Sequence, residues 1–197
     1  MKNKYNKEDL YLISWEEVEE FIDKIYKKVN NFIHENNLKI KYISPIVRGG
    51  SIPAVKLSHM FEVIDMLPIQ LKHNFKNQSI DIKIGLDYVK DTNIKKDECI
   101  LLVEGNHCTG ETANIALQLI KNKFGQDTKV IYVSLTRDYT YKDSVKDVIY
   151  TTWGMLTNES QELDDETRKK LNIKHNLFSV YPWENTKEEL NALNSMW

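Results

Sequence analysis

An apolar run, Cys99 to Val103, closes on a single acid, Glu104, and opens into Gly105-Asn-His-Cys-Thr-Gly-Glu-Thr112 ahead of the helical pattern Ala113 to Ile120. The order reads as a buried strand over Cys99 to Val103, a loop over Gly105 to Thr112, and a helix N-terminus. The first four N–H groups of a helix have no intrahelical partner, and the helix dipole adds partial positive charge. Such a loop is suited to a phosphate.

The rest of the chain supplies strands and helices in alternation. Ser14-Trp-Glu-Glu17 is a capping box, and Val18, Phe21, Ile22, Ile25, Val29, Phe32 and Ile33 fall on one face of the helix that follows. Ile40 to Val47 reads as a buried strand running into Arg48-Gly49-Gly50, and Pro53 suits the first turn of a helix reaching Phe61. Val63 to Leu71 and Ser79 to Tyr88 are strand-like, with a polar turn over His73 to Gln78 between them. Lys90 to Glu98 is a charged loop. Thr112 to Phe124 is a helix closed by Gly125, and Lys129 to Leu135 and Asp147 to Thr152 are further strands. Asn158 to Lys170 reads as a solvated, partly helical excursion. Leu177 to Trp183 is a last short strand, and a C-terminal helix starts at Lys187. The expected class is α/β, a mostly parallel twisted sheet flanked by helices, with ligands bound beyond the carboxyl ends of the strands. Arg48 to Ser51 and Gly105 to Thr112 both occupy such positions.

With 197 residues, 41% of them hydrophobic, the chain can bury one core. One domain over 1–197 is expected, with room for a small appended subdomain. Lysine and arginine number 27 against 29 aspartates and glutamates, a net charge of −2, which gives no reason to expect nucleic acid as a partner. Neither a leader peptide nor a membrane-length apolar stretch is visible, and the cysteines, Cys99 and Cys108, are two. A cytoplasmic protein with reduced thiols is expected. His107-Cys108 has no second pair at metal-ligand spacing, which speaks against structural zinc.

The loop matches a nucleotide-triphosphatase loop in spacing only. Glu111 stands where that loop has a lysine for the terminal phosphates, and a carboxylate there repels them. No Gly-x-Gly-x-x-Gly follows a strand, so a dinucleotide fold has no support.

Val103 to Thr112 resembles the phosphoribosyl pyrophosphate (PRPP) motif of type I phosphoribosyltransferases, in which acids end a strand and Asp-Thr-Gly-x-Thr opens a helix. Three further segments resemble the xanthine, guanine and hypoxanthine branch, in order. They are Tyr11-Leu-Ile-Ser-Trp15 before the first helix, Ile43 to Pro53 as the pyrophosphate loop, and Phe178 to Glu184, with its Pro-Trp-Glu ending, as part of a small C-terminal hood that the resemblance implies is formed by about 150–197 with the N-terminal segment. The resemblance implies transfer of the 5-phosphoribosyl group from PRPP to a purine-type base with release of pyrophosphate, with magnesium as cofactor and a homo-oligomeric assembly.

It also implies roles by position. Thr109, Gly110, Glu111 and Thr112 would cradle the 5′-phosphate, and Arg48 and Gly49 would contact the pyrophosphate. Lys90, in the segment Asp87 to Lys96, would close over it. Glu104 would bind a ribose hydroxyl and, with Glu184, serve the metal indirectly. Arg137 would read the base, Phe178 would stack on it, and Val180 would offer backbone groups to its edge. Arg137 also has a purely structural reading, as a pair with Asp138.

Two positions depart from the motif. Gly105 replaces the second acid, and Cys108 replaces the aspartate that contacts the purine. A thiol is a poor proton acceptor at neutral pH unless its pKa is lowered. The chain could be a transferase with an altered acceptor, a module that binds or senses PRPP or a nucleotide without turnover, or a protein that uses Cys108 as a reactive thiol.

Overall fold

The serine at position 14 sets the first long helix. Its hydroxyl accepts from Glu17 N (3.2 Å) and the Glu17 carboxylate accepts from Ser14 N (3.1 Å), so the capping box forms and α1 runs Trp15–Glu35. The structure, a computed structural model, describes residues 5–74 and 79–195.

Before α1 lies a short strand β1 (Leu10–Leu12). After it come β2 (Lys39–Val47), α2 (Ser51–Met60), β3 (Ile69–Asn74), β4 (Ser79–Ile84), β5 (Glu98–His107), α3 (Glu111–Phe124), β6 (Val130–Asp138) and β7 (Tyr150–Thr157). The chain ends in α4 (Asp165–Lys170), β8 (Phe178–Val180) and α5 (Thr186–Ser195). Six strands form one sheet in the order β4-β3-β2-β5-β6-β7, parallel except for the β3–β4 pair. β1 and β8 form a separate parallel pair that joins the N-terminal segment to the C-terminal one.

Alternation along the central strands divides the core into two layers. Cys99, Leu101 and Val103 of β5 and Ile131, Val133 and Leu135 of β6 face Val18, Phe21, Ile22, Ile25 and Val29 of α1 and Ala54 and Leu57 of α2. Ile100, Leu102, Val130 and Tyr132 face Ala113, Ala116, Leu117 and Ile120 of α3. Each large aliphatic or aromatic side chain so buried contributes about 1.5–3 kcal/mol. Among the described residues no helix is long and apolar enough to cross a membrane.

Several boundaries differ from expectation. β5 continues through Glu104 to His107 and α3 begins at Glu111, so the expected loop shrinks to Cys108-Thr109-Gly110. The strand expected over Val63 to Leu71 starts only at Ile69. The residues before it touch β2 by one bridge, Ile43 to Met66, and Pro68 has no N–H to donate. The strand expected over Asp147 to Thr152 lies at Tyr150–Thr157, which moves Asn158 and Glu159 to a strand end, where both are buried. Of the turn expected over His73 to Gln78, residues 75–78 lie outside the described residues.

Candidate functional site

β2 and β5 are parallel neighbours, so the segments following them meet at the carboxyl edge of the sheet. They meet through backbone alone. A Cβ on Gly105 would lie 2.9 Å from the Gly49 carbonyl carbon and 3.0 Å from its oxygen. The Arg48 segment and the turn Cys108-Thr109-Gly110 therefore border one crevice. The Val47–Arg48 peptide is cis.

The turn is shaped for an anion. Gly110 is the N-cap of α3 at φ 86°, where a Cβ would fall 2.2 Å from Ser144 Oγ and 2.9 Å from His107 Cε1, so only glycine fits. No side chain caps the helix there. The Glu111 N–H points to Thr109 Oγ1 (3.4 Å), which leaves the turn lined by hydroxyl and amide groups. Thr109 and Glu111 are exposed and Thr112 is half-buried.

Glu104 ends the apolar part of β5 but is buried, and the Tyr132 hydroxyl donates to it. Tyr132 Oη also stands 2.8 Å from His107 Nδ1. Residues 104 and 107 are an odd number apart and should face opposite sides of a regular strand. Both reach Tyr132, so the alternation breaks at Gly105-Asn106. Burial raises the Glu104 carboxyl to about 7, against the opposing pull of Tyr132 and the Arg137 charge. Burial likewise lowers His107 to about 4, so the imidazole is neutral at pH 7. Its Nε2–H then donates to the Tyr141 carbonyl (2.9 Å) and Nδ1 is left as an acceptor. The one Tyr132 proton thus serves two acceptors, and a protonated Glu104 satisfies the whole chain.

Asn106 is turned the other way. Its Nδ2 donates to Glu159 Oε2 (2.9 Å) and its Oδ1 accepts from Thr136 Oγ1 (2.8 Å). Cys108 is an exposed residue whose sulfur lies 3.5 Å from the same Glu159 oxygen. Burial of the sulfur, then the Glu159 carboxylate, pushes its thiol well above the usual range. A reactive thiolate is therefore disfavoured. Glu159 Oε1 accepts from Ser179 N (3.0 Å), joining the turn to the hood strand β8. Tyr181 makes a second tie, with its hydroxyl 2.6 Å from Thr136 Oγ1 and donating to the Gly105 carbonyl (2.8 Å).

Arg48 is exposed at the hood side of the crevice. Burial raises the carboxyls of Glu184, to about 7, and of Glu189, and the Arg48 charge pulls both back. Glu184 accepts from Tyr181 N (2.9 Å). Phe178 is half-buried and meets the Tyr5 ring edge-on at 4.9 Å.

Three expected residues lie elsewhere. Arg137 is 1% exposed, between the rings of Tyr132 and Trp153, and its guanidinium bonds to Ser134 Oγ, Thr151 Oγ1 and the carbonyls of Lys142 and Thr152. It is a core residue and reads no base. Lys90 follows an antiparallel strand, so its segment runs to the amino ends of the sheet. There Lys41 pairs with Asp91 (3.4 Å) and Lys39 N donates to Asp97 O (2.8 Å). Lys90 is exposed, and its neighbour Asp91 faces Lys41 rather than the Arg48 segment. Val180 is buried and its carbonyl accepts from Ile13 N (2.9 Å), so that group serves the β1 pair. Ser179 has the outward N–H instead.

Glu159, Asn106, Tyr132, His107 and Tyr181 were not anticipated as site residues. Glu159 had a usable signal, because it follows a strand as Arg48 does, but that strand's end was misplaced by five residues. No three His, Cys, Asp or Glu side chains among the described residues are grouped to hold a metal ion, so a divalent cation here would need oxygens from a ligand.

No protein-family model and no curated protein matches the sequence. Solved structures do match. A purine phosphoribosyltransferase from Pyrococcus horikoshii is 20% identical with a TM-score of 0.63, over 90% of this chain and 95% of that one. A hypothetical protein from Neisseria gonorrhoeae with bound ppGpp is 16% identical with a TM-score of 0.65, over 94% and 95%. The xanthine-guanine-hypoxanthine phosphoribosyltransferase of Helicobacter pylori is 16% identical with a TM-score of 0.57, over 93% and 99%. The fold is that of the type I phosphoribosyltransferases, resembling the xanthine, guanine and hypoxanthine branch.

Proposed function

We propose that the crevice binds a 5-phosphoribosyl ligand and that the protein transfers the group from PRPP to a purine-type base with release of pyrophosphate. The backbone contact between Gly49 and Gly105 carries this reading, because it puts the Arg48 segment beside the α3 N-terminus. One end then holds the 5′-phosphate on Thr109 to Thr112 and the other holds the diphosphate near Arg48 and Gly49. Phe178 is the ring available to a base at the hood. Transfer through an oxocarbenium-like state asks mainly for positioning and charge stabilisation, which such a site supplies. Magnesium, carried on the diphosphate oxygens, would neutralise the leaving group, with Glu104 and Glu184 acting through water.

A second reading, ligand binding without turnover, is favoured by Glu104, whose carboxyl is buried and engaged by Tyr132. The Neisseria gonorrhoeae neighbour with its ppGpp is consistent with a nucleotide in such a crevice. Incubation with PRPP, magnesium and a panel of bases, read as pyrophosphate release alongside calorimetry with PRPP alone, separates the two. Release with any base supports the transferase. Binding of PRPP without release leaves the binding protein, and no binding of PRPP or any nucleotide refutes both.

A further inference from the structure

His107 closes β5 with its imidazole buried, and the two ring nitrogens serve different parts of the fold. Nδ1 stands 2.8 Å from Tyr132 Oη on the neighbouring strand β6. Nε2 faces the segment that follows β6, where the Tyr141 carbonyl lies 2.9 Å away and Ser144 Oγ 3.1 Å away. One proton on Nε2 is thus shared by two oxygens of the same segment.

That segment is the wall behind the phosphate turn. Ser144 Oγ and His107 Cε1 fill the space where a Cβ on Gly110 would lie. The Ser144 carbonyl accepts from Asn114 Nδ2 (3.2 Å) in the first turn of α3, and Val145 is buried in the layer that α3 covers. No side chain caps α3, so what packs on Gly110 sets the shape of the turn from behind. We infer that His107 is a positioning residue for the 5′-phosphate: acting through Tyr141 and Ser144, its Nε2 holds the Gly110 turn in the shape that presents the amides and hydroxyls of Thr109 to Thr112 to the anion. The inference rests on the proposal that this turn takes the 5′-phosphate. It assigns the two nitrogens unequal roles, because Nδ1 reaches only Tyr132.

Two amide substitutions separate them. A glutamine amide reaches about as far from the backbone as Nε2 and an asparagine amide about as far as Nδ1, and each has both donor and acceptor. His107→Gln therefore keeps a donor for Tyr141 and Ser144 and gives up Tyr132, whereas His107→Asn does the reverse. In calorimetric titration of the full chain with ribose 5-phosphate, His107→Gln is expected to bind within about threefold of the parent and His107→Asn at least about tenfold more weakly, the effect of a buried hydrogen bond left unmade. Amide exchange over residues 141–145, measured without ligand, should quicken in His107→Asn and keep the parent rate in His107→Gln. Ser144→Ala removes the hydroxyl against Gly110 from a half-buried position outside the sheet, and it should weaken ribose 5-phosphate by about threefold or more. Unchanged affinity in Ser144→Ala overturns the inference even where the His107 variants fail to fold. A loss in His107→Gln with none in His107→Asn assigns the histidine to Tyr132 instead, and an equal loss in both makes the ring a packing element; each overturns the inference. If ribose 5-phosphate binds the parent and these variants alike, only the role of His107 fails. If it does not bind the parent, the phosphoribosyl reading fails and the role of His107 with it.

Discussion

Gly105 has no room for a side chain, because the backbone of Gly49 fills the place a Cβ would take, 2.9 Å from the nearest atom. The glycine that looks in sequence like a lost acid is therefore a packing requirement of the two segments that border the crevice. Gly105→Asp, which would restore the family's acid pair, should destabilise the fold by about 1–3 kcal/mol through overpacking and should not improve PRPP affinity. Urea denaturation and calorimetry measure the two effects. A variant as stable as the parent would show that the contact is loose.

Cys108 differs from Gly105 in having space, but it faces Glu159. Cys108→Asp would put a second carboxylate near the one 3.5 Å from the sulfur. Two such acids cannot both ionise cheaply, so the variant should lose stability at pH 7 and recover part of it as the pH falls and the pair takes up a proton. Adding Glu159→Gln should relieve the loss, with a coupling of about 1–3 kcal/mol in a double-mutant cycle. Additive effects would show that the side chains do not interact.

The contrast between those two positions shows how much of the molecule the sequence carries. The capping box at Ser14, the apolar run Cys99 to Val103 and the glycine ahead of α3 are local signals, and each produced the element it indicated. Strand ends were harder, because a glycine reads as a loop when only its neighbours in sequence are known. Gly105 lies in β5 because its neighbours Glu104 and Asn106 pair with Ser134 and Thr136 of β6, and Glu159 reaches the crevice because β7 runs on to Thr157. Lys90 was misplaced by strand direction. β4 is antiparallel and ends beside Gln70, level with Val47, so the segment after it heads back along β2, where Asp91 meets Lys41 and Asp97 meets Lys39. Val180 and Ser179 exchanged roles through a one-residue parity in the β1–β8 ladder that composition does not reveal.

The buried chain of Glu104, Tyr132 and His107 makes stability depend on pH. Glu104 at about 7 lies above its ordinary 4.5, so between those values the folded chain holds a proton that the unfolded chain has released. Its contribution falls as the pH rises through that window and is level above it. His107 at about 4 lies below its ordinary 6.5, so its contribution rises with pH between those values and opposes Glu104 there. Glu184, also at about 7, acts in the same direction as Glu104. For these three groups the two carboxyls outweigh the histidine, so stability falls with rising pH from about 4.5 to 7, more steeply above about 6.5 where His107 no longer opposes them. Glu104→Gln should remove about one proton from that slope and stabilise the protein above pH 7 by about 1–3 kcal/mol. Urea midpoints across about pH 5 to 8 decide it, and an unchanged slope would place the titration on another group.

The hood is tied to the sheet by the Tyr181 hydroxyl, which lies 2.6 Å from Thr136 Oγ1 and donates to the Gly105 carbonyl at 2.8 Å. Tyr181 is 3% exposed and its ring stacks on Trp183 at 4.8 Å, so Tyr181→Phe should keep the packing and lose only the two polar contacts. Thr136 retains its bond to Asn106, but the Gly105 carbonyl has no substitute named in the site, and a buried acceptor left in this way costs about 1–3 kcal/mol. The loss should be local. Amide exchange should quicken in β8 and near Gly105 while the α1 layer keeps its protection. Because the same carbonyl belongs to the residue that packs on Gly49, PRPP affinity should fall with it. Exchange that quickens equally through the whole sheet would show that Tyr181 supports the core in general rather than the join between hood and crevice.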